Sequence, residues 1–166
     1  MERSADISGC GHYHYSLTRV WMPEKPMCTF GMVNPSTADA TVDDPTIRKC
    51  TGFASRLGFG GFLVWNLFAF RATDVKEIAF AADPIGIRNN AAIIDALEFA
   101  NTHIAAWGSR HKLKPKQQAR IADIITMTKL AGHDLHCLGE TKDGDPRHPL
   151  MTPYSLPLTM WSRSIK

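Results

Sequence analysis

The sequence predicts a three-layer α/β/α domain with a mostly parallel central sheet, and three observations carry that expectation. Apolar runs of strand length, at residues 27–33, 62–68, 102–107 and 134–138, alternate with segments of helical periodicity. The runs are apolar nearly throughout, as strands buried on both faces are. The chain of 166 residues, 44% hydrophobic and 21% charged, is long enough for one sizeable core. A single domain over residues 1–166 is expected, with its core at about 12–152 and a C-terminal tail at 153–166.

Residues 12–22 mix bulky β-formers with polar side chains and end at Pro23 and Pro26. They read as an edge strand, paired antiparallel to the strand at 27–33 through a short turn. After that second strand comes a long polar connection, Val33 to Pro45. Strand-to-helix connections usually take about 2–6 residues, so the extra length points to a binding loop. Asp44-Pro45 fits the N-cap and N1 positions of the next helix. Ile47, Cys50, Phe53, Ala54 and Leu57 form its buried face, and Gly58 ends it. The run 62–68 is the next buried strand, where Asn66 must find partners or face a site. A short helix follows Asp74. A further amphipathic helix spans about Arg88 to Ala100, with Ala91, Ile94, Leu97 and Phe99 or Ala100 inward. The strand at 102–107 stops at Gly108-Ser109. A helix over 115–131 places Ile121, Ile124, Ile125 and Thr128 on one face, and a last strand, 134–138, runs into a loop ending at Arg147-His148-Pro149.

Right-handed crossovers put the carboxyl ends of all these strands on one rim. There the Asn34 loop, the Asn66–Asp74 loop, the Gly108–Lys116 loop and the Arg147-His148 loop should meet, and an open α/β sheet binds ligands at that rim. Asn34 can hold water or ligand through its amide, with Pro35 stiffening the loop and Ser36 and Thr37 offering hydroxyls or free N–H groups. The same composition also makes an ordinary turn. Asp39, Asp43 and Asp44 offer a general base or oxygen ligands for a hard cation, but their spacing marks no metal cage. The amide of Asn66 can pair with the edge of a pyrimidine, or with neighbouring backbone. His148, beside Arg147 and between Pro146 and Pro149, is the strongest candidate for a general acid or anion stabiliser. His111 is a weaker one.

Other features narrow the classes. Cys10, Cys28, Cys50 and Cys137 lack C-x-x-C spacing and read as reduced residues. Cys10, His12 and His14 with His133 and Cys137 match no zinc pattern, so no metal or cofactor is implied. A net charge of +3 and a pI near 8.7 are below the footprint of a dedicated nucleic-acid binder. The basic run Arg110 to Lys116 can track phosphates or simply be solvated. The chain has no G-x-G-x-x-G, P-loop or G-x-S-x-G, which counts against dinucleotide, NTP and triad chemistry. No apolar run spans a bilayer and the N-terminus carries no signal pattern, so a cytoplasmic protein is the default expectation.

The runs Asn34-Pro35-Ser36-Thr37-Ala38-Asp39, Asp44-Pro45-Thr46, Asn66 to Thr73, Trp107-Gly108 and Arg147-His148-Pro149-Leu150 resemble an uncharacterised bacterial and phage family known only as a domain of unknown function. The resemblance spans about residues 12–152. The order of these motifs is also similar to the uracil-DNA glycosylase superfamily, a three-layer α/β/α fold. That likeness implies Asn34 as the water-positioning residue, Asn66 as the amide that reads the base, Gly108 as the third-strand glycine, and His148 as the histidine that steadies the departing base. Two positions depart from the superfamily: Met32 stands where a glycine is expected, and Leu150 where a serine is.

The resulting expectation is a protein that acts on, or binds, a pyrimidine base or nucleotide, in DNA that is itself modified or not. Asn34, His148 and Asp39 are its catalytic candidates. Ser36, Thr37, Asn66, Phe68, Arg71, Gly108 and Arg147 are its substrate-binding candidates, with Phe68 or Phe70 as a stacking surface. The alternatives are a non-catalytic nucleotide or nucleic-acid binding module and a small-molecule enzyme unrelated to nucleic acid.

Overall fold

A computed structural model describes residues 1–162. Seven strands among the described residues form one sheet in the order β1-β2-β4-β3-β5-β6-β7, where β1 is Glu2–Ile7, β2 His14–Val20, β3 Met27–Met32, β4 Gly61–Asn66, β5 Thr102–Ala105, β6 Leu135–Cys137 and β7 Thr159–Met160. The central four, β4-β3-β5-β6, are mutually parallel, and β2 and β7 flank them antiparallel. Because β1 is antiparallel to β2, five of the seven strands point the same way.

Helix α1 (Pro45–Arg56) covers one face, burying Ile47, Cys50, Phe53 and Ala54 against Cys28, Phe30, Phe62 and Val64. Helices α2 (Asn89–Phe99) and α3 (Pro115–Leu130) cover the other, where Ile93, Ala96, Ile121 and Ile124 pack with Trp65, Ala105 and Trp161. Along β4, Val64 belongs to the first cluster and Trp65 to the second, as the two-residue alternation of a strand requires. Asn66, the next residue of the Val64 series, therefore points to the α1 side.

The order of strands corrects one expectation. The segment from His14 is neither an edge strand nor the partner of β3: β4 lies between them, and β1 lies outside. The apolar β3 needs a buried neighbour on each side, which β4 and β5 supply. The short connection over residues 21–26 then steps past β4, held by Trp21 and Met22 N–H groups on Gly60 O at 2.8 and 2.9 Å. The sheet also reaches past the expected core at both ends, through β1, β7 and the buried Trp161; residues 163–166 of the expected tail lie outside the described residues. In α2 the inward face is Asn89, Ile93, Ala96 and Leu97, while Ile94 is 46% exposed. Apolar residues on several sides of that helix made its periodicity ambiguous, and the buried Asn89 fixes the true face. Its Nδ2 donates to the carbonyls of Asn66 and Leu67 at 3.0 and 3.2 Å, closing the end of β4.

Candidate functional site

At the carboxyl rim of the parallel strands lies a cavity of about 580 Å³, bounded on the α1 side by Leu17, Met32, Val64 and Ile47. Each of the four loops expected there contributes: Asn34 and Ser36 after β3, Asn66 and Thr73 at and after β4, Trp107 and Lys112 after β5, and His148 and Leu150 after β6. Ligand sites of about 300–1,000 Å³ with an apolar wall and a few converging polar groups are the usual pattern.

The polar groups have defined hydrogen-bonding states. Asn34 donates from Nδ2 to Ala72 O at 2.7 Å and to Pro35 O at 3.1 Å, which fixes the orientation of its amide. Both donors are spent, so Asn34 offers Oδ1 as a neutral acceptor. His148 accepts the Leu150 N–H at Nδ1, 3.2 Å away, so its proton resides on Nε2 and it is a donor. Burial, and then the Lys112 ammonium, hold its pKa below the ordinary histidine value; the Asp44 carboxylate pulls the other way. Asn66 is only 4% exposed, yet its carboxamide makes no hydrogen bond among the described residues and lines the cavity. Most buried amides in proteins are partnered, and this one instead opens onto the cavity.

His14, on the cavity wall, donates from Nε2 to Ser16 O at 3.0 Å and is pushed down in pKa chiefly by burial, so it is neutral; its Nδ1 is buried without a partner. The Trp107 indole N–H is likewise buried and unpartnered. Asp44 Oδ1 accepts the Ile47 N–H at 2.9 Å, capping α1, and its other oxygen has no hydrogen-bond partner among the described residues. The glycine at 108 takes φ +76°, and a Cβ there would stand 3.3 Å from the Cβ of His148.

Asn34, Ser36, Asn66 and His148 are thus brought together with Asp44, and Thr37, Asp39, Phe68, Arg71, Gly108 and Arg147 are not on the cavity wall. Asp39 turns its carboxylate onto its own loop, accepting from the Thr41 N–H, the Val42 N–H and the Thr41 hydroxyl, and these bonds lower its pKa. Thr37 is exposed beside the cavity rather than on its wall. Phe68 is 2% exposed in the core on the α2–α3 side, because β4 ends at Asn66 and the alternation breaks there. Phe70 packs edge-on against Tyr13. Arg71 lies outside the lining, though its charge reaches His14 and Asp39. Arg147 packs its stem over Gly139, and Gly108 supports His148 from behind. His111 is exposed and pairs with Asp143 at 3.3 Å.

His14 and Trp107 were missed as wall residues, and Lys112 was visible only as one of a basic run in a rim loop. Their place depends on the pairing of β2 with β4 and on the path of the chain after β5. Among the described residues no group of three or more His, Cys, Asp or Glu side chains could hold a metal ion, and no helix is long and apolar enough to cross a membrane.

No curated protein matches the chain. A solved structure described as a "Putative hydrolase from Agrobacterium vitis S4" is 15% identical, covers 81% of this chain and 49% of its own, and gives a TM-score of 0.42. The chain spans about half the length of that protein, and a likeness of this degree carries no argument. The model of the family described as "Protein of unknown function (DUF1643)" matches residues 14–150, which hold five of the seven strands and all four rim loops, and the chain belongs to that family.

Proposed function

We propose that the cavity binds a pyrimidine-type base, free or as part of a nucleotide or nucleic acid, and that the protein acts on it in the manner of a glycosylase, with a fold of the uracil-DNA glycosylase kind. The observation that carries this reading is the Asn66 carboxamide, nine-tenths buried, unpartnered, and on the wall of the same cavity as Asn34 and His148. A carboxamide presents an acceptor and a donor side by side, which match the N3–H and exocyclic oxygen of a uracil-like edge. Across the cavity, the Nε2–H of His148 can donate to a base oxygen as negative charge develops on it. The Oδ1 of Asn34 can accept from a water or a sugar hydroxyl. A base within a duplex would have to leave the stack to enter.

A second reading is a non-catalytic module that senses the base, and the locked amide of Asn34 favours it, because a neutral acceptor is a weak base. Base release from uracil-, 5-hydroxymethyluracil- and hypoxanthine-containing oligonucleotides separates the two. Release by the wild-type protein, lost in Asn66→Ala, supports the enzyme. Tight binding without release, also lost in Asn66→Ala, supports the module. If neither DNA nor RNA binds at low salt, both readings fail.

A further inference from the structure

We infer that the cavity is shaped for a pyrimidine carrying an apolar substituent at C5, and that a floor of Leu17, Val64, Ala38 and Ile47 is the subsite for that substituent. The inference rests on the base-binding reading above and adds to it the class of base.

The lining divides by depth. Val64 and Leu17 stand opposite each other in the pairing of β4 with β2. Asn66 is two residues further along β4, about 7 Å nearer the rim at the rise of a strand. Ala38 of the loop after β3 and Ile47 of α1 belong to the same apolar cluster as Leu17 and Val64, and they close the chamber from the helix side. The polar lining residues enter nearer the rim. Asn34 lies beyond the end of β3, Asn66 ends β4, and His14 begins β2, which runs antiparallel to β4. His14 has also spent its Nε2–H on Ser16 O. Below the Asn66 amide the wall is therefore apolar.

The floor is also unfilled. Phe30 and Phe62 of the same cluster are fully sealed, whereas Leu17, Val64, Ala38 and Ile47 each keep 4 to 6% exposure, and all four line the cavity. An apolar cavity of about 150 Å³ is enough for a benzene ring, and the volume here, about 580 Å³, is roughly four times that. A sugar on the rim side, beside Asn34 and Ser36, would take part of the surplus, and the floor would remain. Bare uracil would leave this apolar surface against water, which is unfavourable in proportion to its area. The orientation that Asn66 sets decides which substituent reaches the floor. With the N3–H and O4 edge on the amide and the sugar-bearing N1 toward the mouth, C4 is the innermost ring atom. C5 is its neighbour, so an alkyl group on C5 points into the floor. A hydroxyl on that group would find no polar side chain there among the described residues.

Oligodeoxyadenylate strands carrying one uracil, thymine, 5-ethyluracil or 5-hydroxymethyluracil, titrated by fluorescence anisotropy, test the assignment. Affinity should rise about fourfold for each carbon added at C5, from uracil through thymine to 5-ethyluracil. The hydroxymethyl base, equal in size to the ethyl base but bearing an unpartnered hydroxyl, should bind at least about fivefold more weakly than it. Uracil binding as tightly as 5-ethyluracil, or 5-hydroxymethyluracil binding more tightly, overturns the inference. In Ala38→Leu, whose longer side chain fills the floor, the preference for ethyl over uracil should disappear while uracil affinity is kept. Should that variant fail to fold, Val64→Ile adds one carbon at the same place and should lower the preference. An unchanged preference in a folded variant overturns the subsite. If none of the four bases improves on the plain strand, the base-binding reading falls, and benzene tests the floor by itself. It should shift the methyl NMR signals of Leu17, Val64 and Ile47 in the wild type and not in the filled variant. Absence of those shifts in the wild type overturns the apolar subsite as well.

Discussion

Asn34 donates both hydrogens of its carboxamide to backbone carbonyls, one of them 38 residues away at Ala72, and so ties the loop after β3 to the loop after β4. The Asn66 carboxamide makes no such bond among the described residues. The two asparagines should therefore separate cleanly on mutation. Asn34→Ala leaves the Ala72 carbonyl without its donor, while the Pro35 carbonyl keeps the Ala72 N–H at 3.2 Å, and should cost about 1–3 kcal/mol. Asn66→Ala removes an unpartnered amide and should change stability by less than about 1 kcal/mol, while abolishing binding in the cavity. Urea unfolding of both variants checks this; equal losses would deny that only one of them is a structural tie. An amide at a strand's carboxyl end was visible in the sequence as a group needing a partner, and so was a histidine stiffened by prolines. Which asparagine would be tied and which left open was not visible, because Ala72 meets Asn34 only once β3 and β4 lie side by side. Asp44 was legible both as a helix cap and, with Asp39 and Asp43, as a carboxylate of the loop; which of the three lines the cavity was not visible.

The long connection from Val33 to Pro45 is the element that most repays its length. Arg19, fully buried on β2, reaches Asp43 through Nε and Nη2 and the carbonyl of Asp39 through Nη2, so a strand on one side of the cavity anchors the loop on the other. Removing one partner of a buried pair leaves an uncompensated charge, and Asp43→Ala should cost about 3–5 kcal/mol. Thermal unfolding that shows a loss under about 1 kcal/mol would mean that solvent or Thr18 O satisfies Arg19 alone. The three helices and the four parallel strands were legible because their apolar periodicity is local. Strand β1 was not: Glu2-Arg3-Ser4-Ala5-Asp6-Ile7 carries no apolar alternation, and only pairing with β2 makes it a strand. The position of β2 beside β4 was equally hidden, since it depends on a pairing more than forty residues apart in sequence.

Across the molecule, burial of neutral imidazoles ties stability to pH. Trp65 N–H donates to Thr29 Oγ at 3.1 Å, and Thr29 Oγ in turn meets His103 Nδ1 at 2.9 Å, inside the α2–α3 face. The remaining His103 nitrogen is buried without a hydrogen bond, against the ring of His133. Burial, with the charges of His133 and His136, pushes His103 down to about 4, and burial lowers His14 and His148 as well. In the unfolded chain these groups titrate near about 6.5. The unfolded state thus binds more protons in the window between, so the stability is fully present above about pH 6.5, falls as the pH drops, and is lost by about pH 4. Urea midpoints at a series of pH values should decline through that window, and a flat profile from pH 7.5 to 5 would contradict the buried neutral state.

At the same scale, one sheet edge gathers four loops that are remote in sequence around a single cavity, as the alternation of strands and helices implied. The central claim is that Asn66 reads a base there. Its most direct test is fluorescence-anisotropy titration of a labelled single-stranded oligonucleotide carrying one 5-hydroxymethyluracil, or one uracil, against the wild type and Asn66→Ala. The account predicts base-dependent binding that weakens at least about tenfold in Asn66→Ala while the variant's fold and melting temperature are kept. Equal affinity of the two proteins, or no preference for the modified strand over one lacking the base, would contradict it.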